Sequence, residues 1–310
     1  MKCTVHGYVS TSGNVRRVEV EVPVDVYSSA EGSQSIILIG LQFEEKINLL
    51  LENFIEWEST LLTLAQRYSV RPSRSHDAAM DERLLLDRRL VNLLTACKLY
   101  LDQSDHTLSE VFGHASQEAE TINRKRAQFY DGRFGYRFME SLRNHIQHRA
   151  LPITEIRYQQ SAVDPHKIEY VELFVIPGVS REDLKKDRKF KPKILEEIED
   201  GPEVIDIRSS LREYISSIAE IHDEMRRLLG PPIENACAAF VRIRGEFSVI
   251  SGVRVDLPTL TRVDDSSQSL PFEELALDGP MLGRYEELRK RDVGAKNLNR
   301  IFASNGLGHR

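Results

Sequence analysis

FGYRFMESLRNHIQHRALP, residues 134–152, is the stretch on which the reading of the fold turns. Tyr130, Phe134, Phe138, Leu142 and Ile146 recur every fourth residue, and Tyr136, Glu140, Asn144 and His148 make a second row. On a helix turning about 100° per residue the two rows lie about 200° apart. Burying the apolar row therefore predicts that the polar row faces solvent, a ligand or a partner chain. Pro152 biases Leu151 away from helical backbone, which places the end of the helix at about Arg149 or Ala150.

The last turns of this helix gather a cation, an amide and an imidazole: Arg143, Asn144 and His148. Asn144 and His148 sit one turn apart, about 40° round the axis. Arg143 is about 140° from His148, a gap that a long guanidinium arm can partly cover. The surroundings are basic although the chain is acidic. Residues 124–149 carry seven Lys or Arg against two acids, +5 locally, while the whole chain sums to −6. Aromatic residues are interleaved with these cations, a pattern that suits a phosphate-backbone ligand. Arg137, Arg149 and Tyr136 are the expected RNA contacts, although packing alone also explains the aromatics.

Arg143-Asn144, three residues and then His148 resembles the RN-x-x-x-H form of the Arg-x(4–6)-His motif of the HEPN superfamily. The resemblance covers the motif and the helices from roughly residue 41 to residue 151. A second Arg-x(4)-His pair, Arg71 to His76, contains Pro72 and two serines and reads as loop. HEPN domains are all-helical, and many are metal-independent ribonucleases with two motif helices facing each other across a homodimer. The resemblance thus implies Arg143, Asn144 and His148 as catalytic residues, RNA as substrate, a homodimer, and a toxin or defence role with a regulatory partner protein. Toxins silenced by a nucleotidyltransferase often carry Tyr two residues after the His; here that position is Ala150. The alternative is a non-catalytic HEPN-like module that binds RNA, nucleotide or protein.

The chemistry fits without a cofactor. RNA supplies its own nucleophile, the 2′-hydroxyl, so the protein needs a proton-transfer group and positive charge at the phosphorus. His148 fits the first role and Arg143 the second, with Asn144 orienting either. His145 and His148 could share a metal ion, but no third ligand follows at a recognisable spacing, with Glu140 the nearest possibility.

Outward from this helix, three segments are expected: a β-hairpin segment over 1–40, a helical bundle over 41–152, and strands with a helical region over 153–310. In the first, Val18, Val20, Val22, Val24 and Val26 alternate with polar residues after the turn Ser12-Gly13-Asn14, predicting a hairpin with Thr4–Val9. Ile36–Ile39 is either a short strand or the lead into a helix. Apolar periodicity predicts helices over 42–68 and 81–101, with Trp57 in the bundle core and His106 and His114 in the connection that follows. Glycines 132 and 135 weaken the next helix and predict a kink or two helices meeting near Arg133.

Segments 154–163 and 167–176 read as strands, joined through Pro165, that pair with the N-terminal hairpin into one small antiparallel sheet. The basic run 180–193 reads as a solvated helix face. A helix over 207–229 is stopped by Gly230-Pro231-Pro232, a strand covers Val253–Leu257, and the chain after Leu260 is loop-rich. The fold class is α+β, mainly α.

Hydrophobic residues at 41% and charged residues at 29% are those of a globular domain, and a net charge of −6 argues against a nucleic-acid coat protein. Cys3, Cys97 and Cys237 form no Cys-x-x-Cys pair, which fits a reducing cytoplasm. The N-terminus lacks an apolar signal core, and no membrane association is expected.

Overall fold

A computed structural model of the chain describes residues 2–11, 14–72, 75–164, 167–251, 258–263, 272–291 and 294–300. In chain order the elements are β1 (Lys2–Thr11), β2 (Asn14–Val22), α1 (Val24–Val70), α2 (His76–Phe112), α3 (Gln117–Gly132) and α4 (Phe134–His148). There follow β3 (Ile153–Asp164), β4 (Lys167–Ser180), α5 (Arg181–Lys186), α6 (Pro192–Glu197), β5 (Val204–Asp206) and α7 (Arg208–Ser251). Last come β6 (Thr259–Val263), β7 (Phe272–Ala276), α8 (Gly279–Lys290) and a 3₁₀ turn at Gly294–Arg300. The fold is α+β and mainly α. Among the described residues no helix is long and apolar enough to cross a membrane.

The chain forms two compact units, each discontinuous in sequence. The first comprises residues 1–45, 106–116 and 225–292. Its sheet has the order β2-β1-β6-β7, antiparallel throughout. The hairpin β1–β2 forms as its alternation predicts, with Cys3 opposite Val22. The strand ends earlier than the valine pattern suggests. Pro23 has no N–H for the ladder, its carbonyl accepts Val26 N–H at 3.1 Å, and Val24 and Val26 already belong to α1. Ile36–Ile39 is likewise helical.

Cys3, Val5, Tyr27, Ile37, Phe240 and Leu260 share the core of this unit. Gly40 lets α1 come close to two neighbours, because a Cβ there would meet Ile233 Cδ1 at 2.8 Å and Tyr285 Cε2 at 3.1 Å.

The second unit comprises residues 46–105, 117–224 and 293–310. Its sheet is β3-β4-β5. The single sheet expected from the hairpin and the strands after Pro152 is therefore two sheets. β1 takes β6 as its second neighbour, and β4 takes β5. The helical core is built from Leu50, Trp57, Leu90, Leu93, Phe138 and Ile218, all buried. α7 belongs to this core, through Tyr214 and its neighbours, although it lies well beyond residue 152.

Other expectations are corrected in detail. α7 runs through Pro231 and Pro232 instead of stopping. An interior proline costs about 3 kcal/mol or more of helix stability, but Leu229 and Ile233 on either side are almost wholly buried and hold the helix in place. His106 lies within α2, paired with Glu110. The tail after Leu260 contains β6, β7 and α8, whose start is capped by Asp278 accepting Met281 N–H with Pro280 in its first turn. The basic run 180–193 is two short helices with a loop between them, not one helix face. The turn at Pro165 and the strand expected at Val253–Leu257 lie outside the described residues.

Candidate functional site

The motif helix α4 starts after a break, as the two glycines suggest. Arg133 is extended, at φ −121° and ψ 115°. Its guanidinium lies 4.0 Å over the Phe129 ring, donates to Ser217 Oγ at 2.9 Å and pairs with Glu220 at 2.8 Å. Gly135 is needed for close approach. A Cβ there would meet the Ser210 carbonyl oxygen at 2.6 Å, and Gly135 N–H donates to Glu213 Oε2 at 2.6 Å. The α3–α4 junction is thus clamped onto the first turns of α7.

The polar row does not face solvent along its length. Tyr136 is 4% exposed, its ring edge-on to Tyr214 with centroids 5.2 Å apart. Tyr214 is fully buried and its hydroxyl donates to Glu140 Oε1. Burial first, and then the charge of Glu140, push both phenols well above the ordinary tyrosine range, so both stay protonated. The Cys97 thiol is raised for the same two reasons. The expectation that Tyr136 and Glu140 lie open to ligand is overturned: α7 covers that side of the helix. Tyr136 is a core residue that no base can reach.

Arg143 points to this same covered side. It is 9% exposed, its Nη2 lies 3.7 Å from Glu140 Oε2, and its Nη1 donates to Gln147 Oε1 at 3.3 Å. Its Nε is buried without a hydrogen-bond partner. Asn144, Gln147 and His148 are exposed. Within one chain the structure therefore brings Asn144 and His148 to one surface edge and turns Arg143 away from it.

The third side of α4 holds a group that periodicity did not single out. His145 is buried, and its Nδ1 donates to Asp187 Oδ2 at 2.8 Å. Asp187 Oδ1 accepts from Arg149 Nε at 3.2 Å and from Lys189 N–H at 3.0 Å. Burial works to raise the Asp187 pKa, but the His145 hydrogen bond, the Lys189 N–H and the nearby charges of His145 and Arg149 outweigh it and hold the carboxyl below its usual range.

Arg149, expected to contact RNA, is exposed while tied to Asp187. Arg137 is already engaged: its Nε lies 3.0 and 3.1 Å from the two Glu197 oxygens and its Nη2 also reaches Glu197. His145 is buried and bonded to Asp187 through Nδ1, while His148 is exposed at the end of the helix. Among the described residues no group of three His, Cys, Asp or Glu is placed to hold a metal ion.

One signal for the His145–Asp187 pair was present in the sequence. His145 and Arg149 are one turn apart on the helix, and a buried imidazole there calls for a hydrogen-bonding partner that Arg149 can also reach. Comparison with protein-family models, with curated proteins and with solved structures finds no match to this chain.

Proposed function

We propose that the chain is a metal-independent endoribonuclease of the HEPN type, working as a homodimer in the cytoplasm, with a toxin or defence role under a regulatory partner. One observation carries the reading. On a helix packed against other elements on its remaining sides, Asn144, Gln147 and His148 form an exposed edge held rigid by buried Leu142 and His145.

In this reading a base takes the 2′-hydroxyl proton, the O2′–P bond forms, and the P–O5′ bond breaks as an acid protonates the leaving oxygen. The products are a 2′,3′-cyclic phosphate and a 5′-hydroxyl. His148 acts as one proton-transfer group, and Asn144 orients it or the phosphate. Arg143 supports the edge from behind by holding Gln147, and contributes positive potential toward the phosphorane.

A second reading, a non-catalytic module that binds RNA, nucleotide or protein, is favoured by the buried guanidinium of Arg143 and its bonds within its own helix.

Three neighbours on α4 separate the readings. His148→Ala is expected to abolish cleavage of single-stranded RNA in the presence of EDTA while changing stability by less than about 0.5 kcal/mol, as exposed sites do. Leu142→Ala, fully buried, should cost about 2–5 kcal/mol yet leave the folded fraction active. Arg143→Ala should be intermediate, losing about 1–3 kcal/mol because Glu140 loses a buried partner. No cyclic-phosphate product from the native chain, or full activity in His148→Ala, removes the ribonuclease reading.

A further inference from the structure

Beside the motif helix lies segment 187–193, the loop after α5 and the first two residues of α6, reading Asp-Arg-Lys-Phe-Lys-Pro-Lys. Two anchors hold it against α4. Asp187 is turned inward onto His145 and Arg149. Phe190, 3% exposed, sits edge-on to the rings of Phe138 and His145, each at a centroid distance of 6.3 Å. With both anchors facing the helix, Arg188, Lys189, Lys191 and Lys193 are left exposed.

Within residues 187–193 four cations stand against one carboxylate, Asp187, which is turned inward, although residues 181–200 as a whole balance seven cations with seven acids. Of the flanking carboxylates, Asp183, Glu197 and Glu199 are matched by Lys186, Arg137 and Lys185, while Glu182, Glu196 and Asp200 are exposed and form no ion pair with residues 188–193 among the described residues. Among the described residues the side chains of Arg188, Lys189 and Lys193 have no carboxylate partner within ion-pair distance. Lys191 lies 4.2 Å over the Tyr130 ring and donates to its hydroxyl, which adds an aromatic to the cationic row.

The segment also has a direction. Asp187 meets Arg149, Phe190 meets Phe138 and Glu197 meets Arg137, so it runs back along α4 from the end that carries Asn144 and His148. Twelve residues of helix separate Arg149 from Arg137, about 18 Å of axis. Anchored cations spread along such a row repel one another and are relieved together by a ligand bearing several regularly spaced negative charges.

We infer that segment 187–193 is a seat for the phosphate backbone of a single RNA strand, leading it along α4 to the exposed Asn144–His148 edge. The choice of RNA over an acidic polypeptide rests on the ribonuclease reading; the row of unmatched cations does not.

The test is binding of a fluorescently labelled, fully 2′-O-methyl single-stranded oligonucleotide, which cannot be cleaved through its 2′-oxygen, to the full chain. The triple variant Arg188→Ala, Lys189→Ala, Lys193→Ala is expected to bind about 100-fold more weakly at about 0.1 M salt. The slope of log K against log salt should be shallower by about 2, since each neutralised phosphate of a single strand contributes about 0.7. The double variant Lys185→Ala, Lys186→Ala removes cations that already have carboxylate partners and should bind as the native chain does.

Native affinity in the triple variant, or an equal loss per charge in the double variant, overturns the seat. A poly-glutamate chain bound as tightly as the oligonucleotide overturns RNA as its occupant. A native chain that cleaves 2′-hydroxyl RNA while the triple variant binds normally removes the seat and leaves the ribonuclease. Loss of binding in the triple variant with no cleavage by the native chain does the reverse.

Discussion

Asp87 and Asp187 are both buried carboxylates that accept backbone N–H groups, yet their environments act on them in opposite senses. Asp87, 1% exposed, accepts Ile153 N–H at 3.0 Å and so ties α2 to the start of β3. Burial pushes it up to about 6, against the weaker pulls of that N–H and of Arg83. At Asp187 the His145 hydrogen bond, the Lys189 N–H and two nearby charges outweigh burial and hold the carboxyl low. The consequences for stability follow from which state binds more protons. Between the ordinary carboxylate value and about 6 the folded chain keeps the Asp87 proton that the unfolded chain has lost, so stability falls as pH rises through that window. The loss amounts to about 3 kcal/mol for a shift of about two units. Asp187 contributes with the other sign: its share is present above the unfolded carboxylate pKa and disappears as pH falls through the folded value. Asp87→Asn keeps an oxygen for Ile153 N–H and removes the titration. Urea unfolding at about pH 4 and about pH 7 should show the variant gaining about 3 kcal/mol on the native chain between the two conditions. Parallel pH dependence in the two proteins would show that Asp87 does not titrate in this window.

At the scale of the element, the four-residue spacing of Phe134, Phe138 and Leu142 marked α4 as a helix, and Pro152 placed its end to within a residue or two of His148. The same spacing could not say that the helix is covered on more than one side. Tyr136 and Glu140 look polar in a periodic pattern, but the Tyr136 ring packs edge-on to Tyr214, and Glu140 accepts the Tyr214 hydroxyl, so both can face α7. Likewise Asn144 and His148 were legible as an exposed pair, whereas Arg143, which bonds Glu140 and Gln147 of its own helix, was not legible as buried. Gly132 and Gly135 show how the two kinds of information diverge. In a free helix, glycine to alanine gains about 1 kcal/mol at either position. A Cβ at Gly132 would meet nothing within 4 Å, whereas at Gly135 it would collide with Ser210 backbone at 2.6 and 2.9 Å. Gly132→Ala is therefore expected to be neutral or stabilising by up to about 1 kcal/mol. Gly135→Ala should cost about 1–3 kcal/mol by forcing α4 off α7. Thermal unfolding of the two variants checks the difference in sign, and equal midpoints would mean that the α4–α7 contact is looser than these distances require.

Across the whole molecule, what sequence could not supply is partnership between distant segments. β1 pairs with β6 about 250 residues later, from His6 opposite Thr259 to Lys2 opposite Val263, and no local pattern in either strand names the other. α7 belongs to the same helical core as α4, yet the prolines inside it read as a stop until the burial of Leu229 and Ile233 is seen. The same limit applies to the proposed site, whose missing part is sought outside the chain. One α4 end presents one exposed imidazole, while transesterification of RNA needs a base and an acid together. Arg143 is buried, paired with Glu140 and bonded to the back of the edge through Gln147, so its guanidinium is not exposed beside His148. A second copy placed with its α4 end facing the first would supply the other imidazole, and Leu151, 52% exposed just beyond the helix, offers an apolar contact at the rim of that edge. The chain is accordingly expected to be a dimer by light scattering at micromolar concentration, with specific activity that falls on dilution through the dissociation constant. Leu151→Glu should lower the dimer fraction and the cleavage rate in step, whereas His148→Ala should remove the rate and leave the dimer. A monomer that keeps full specific activity at every concentration would rule out a site completed by a second copy, and both proton transfers would then have to be served from within one chain.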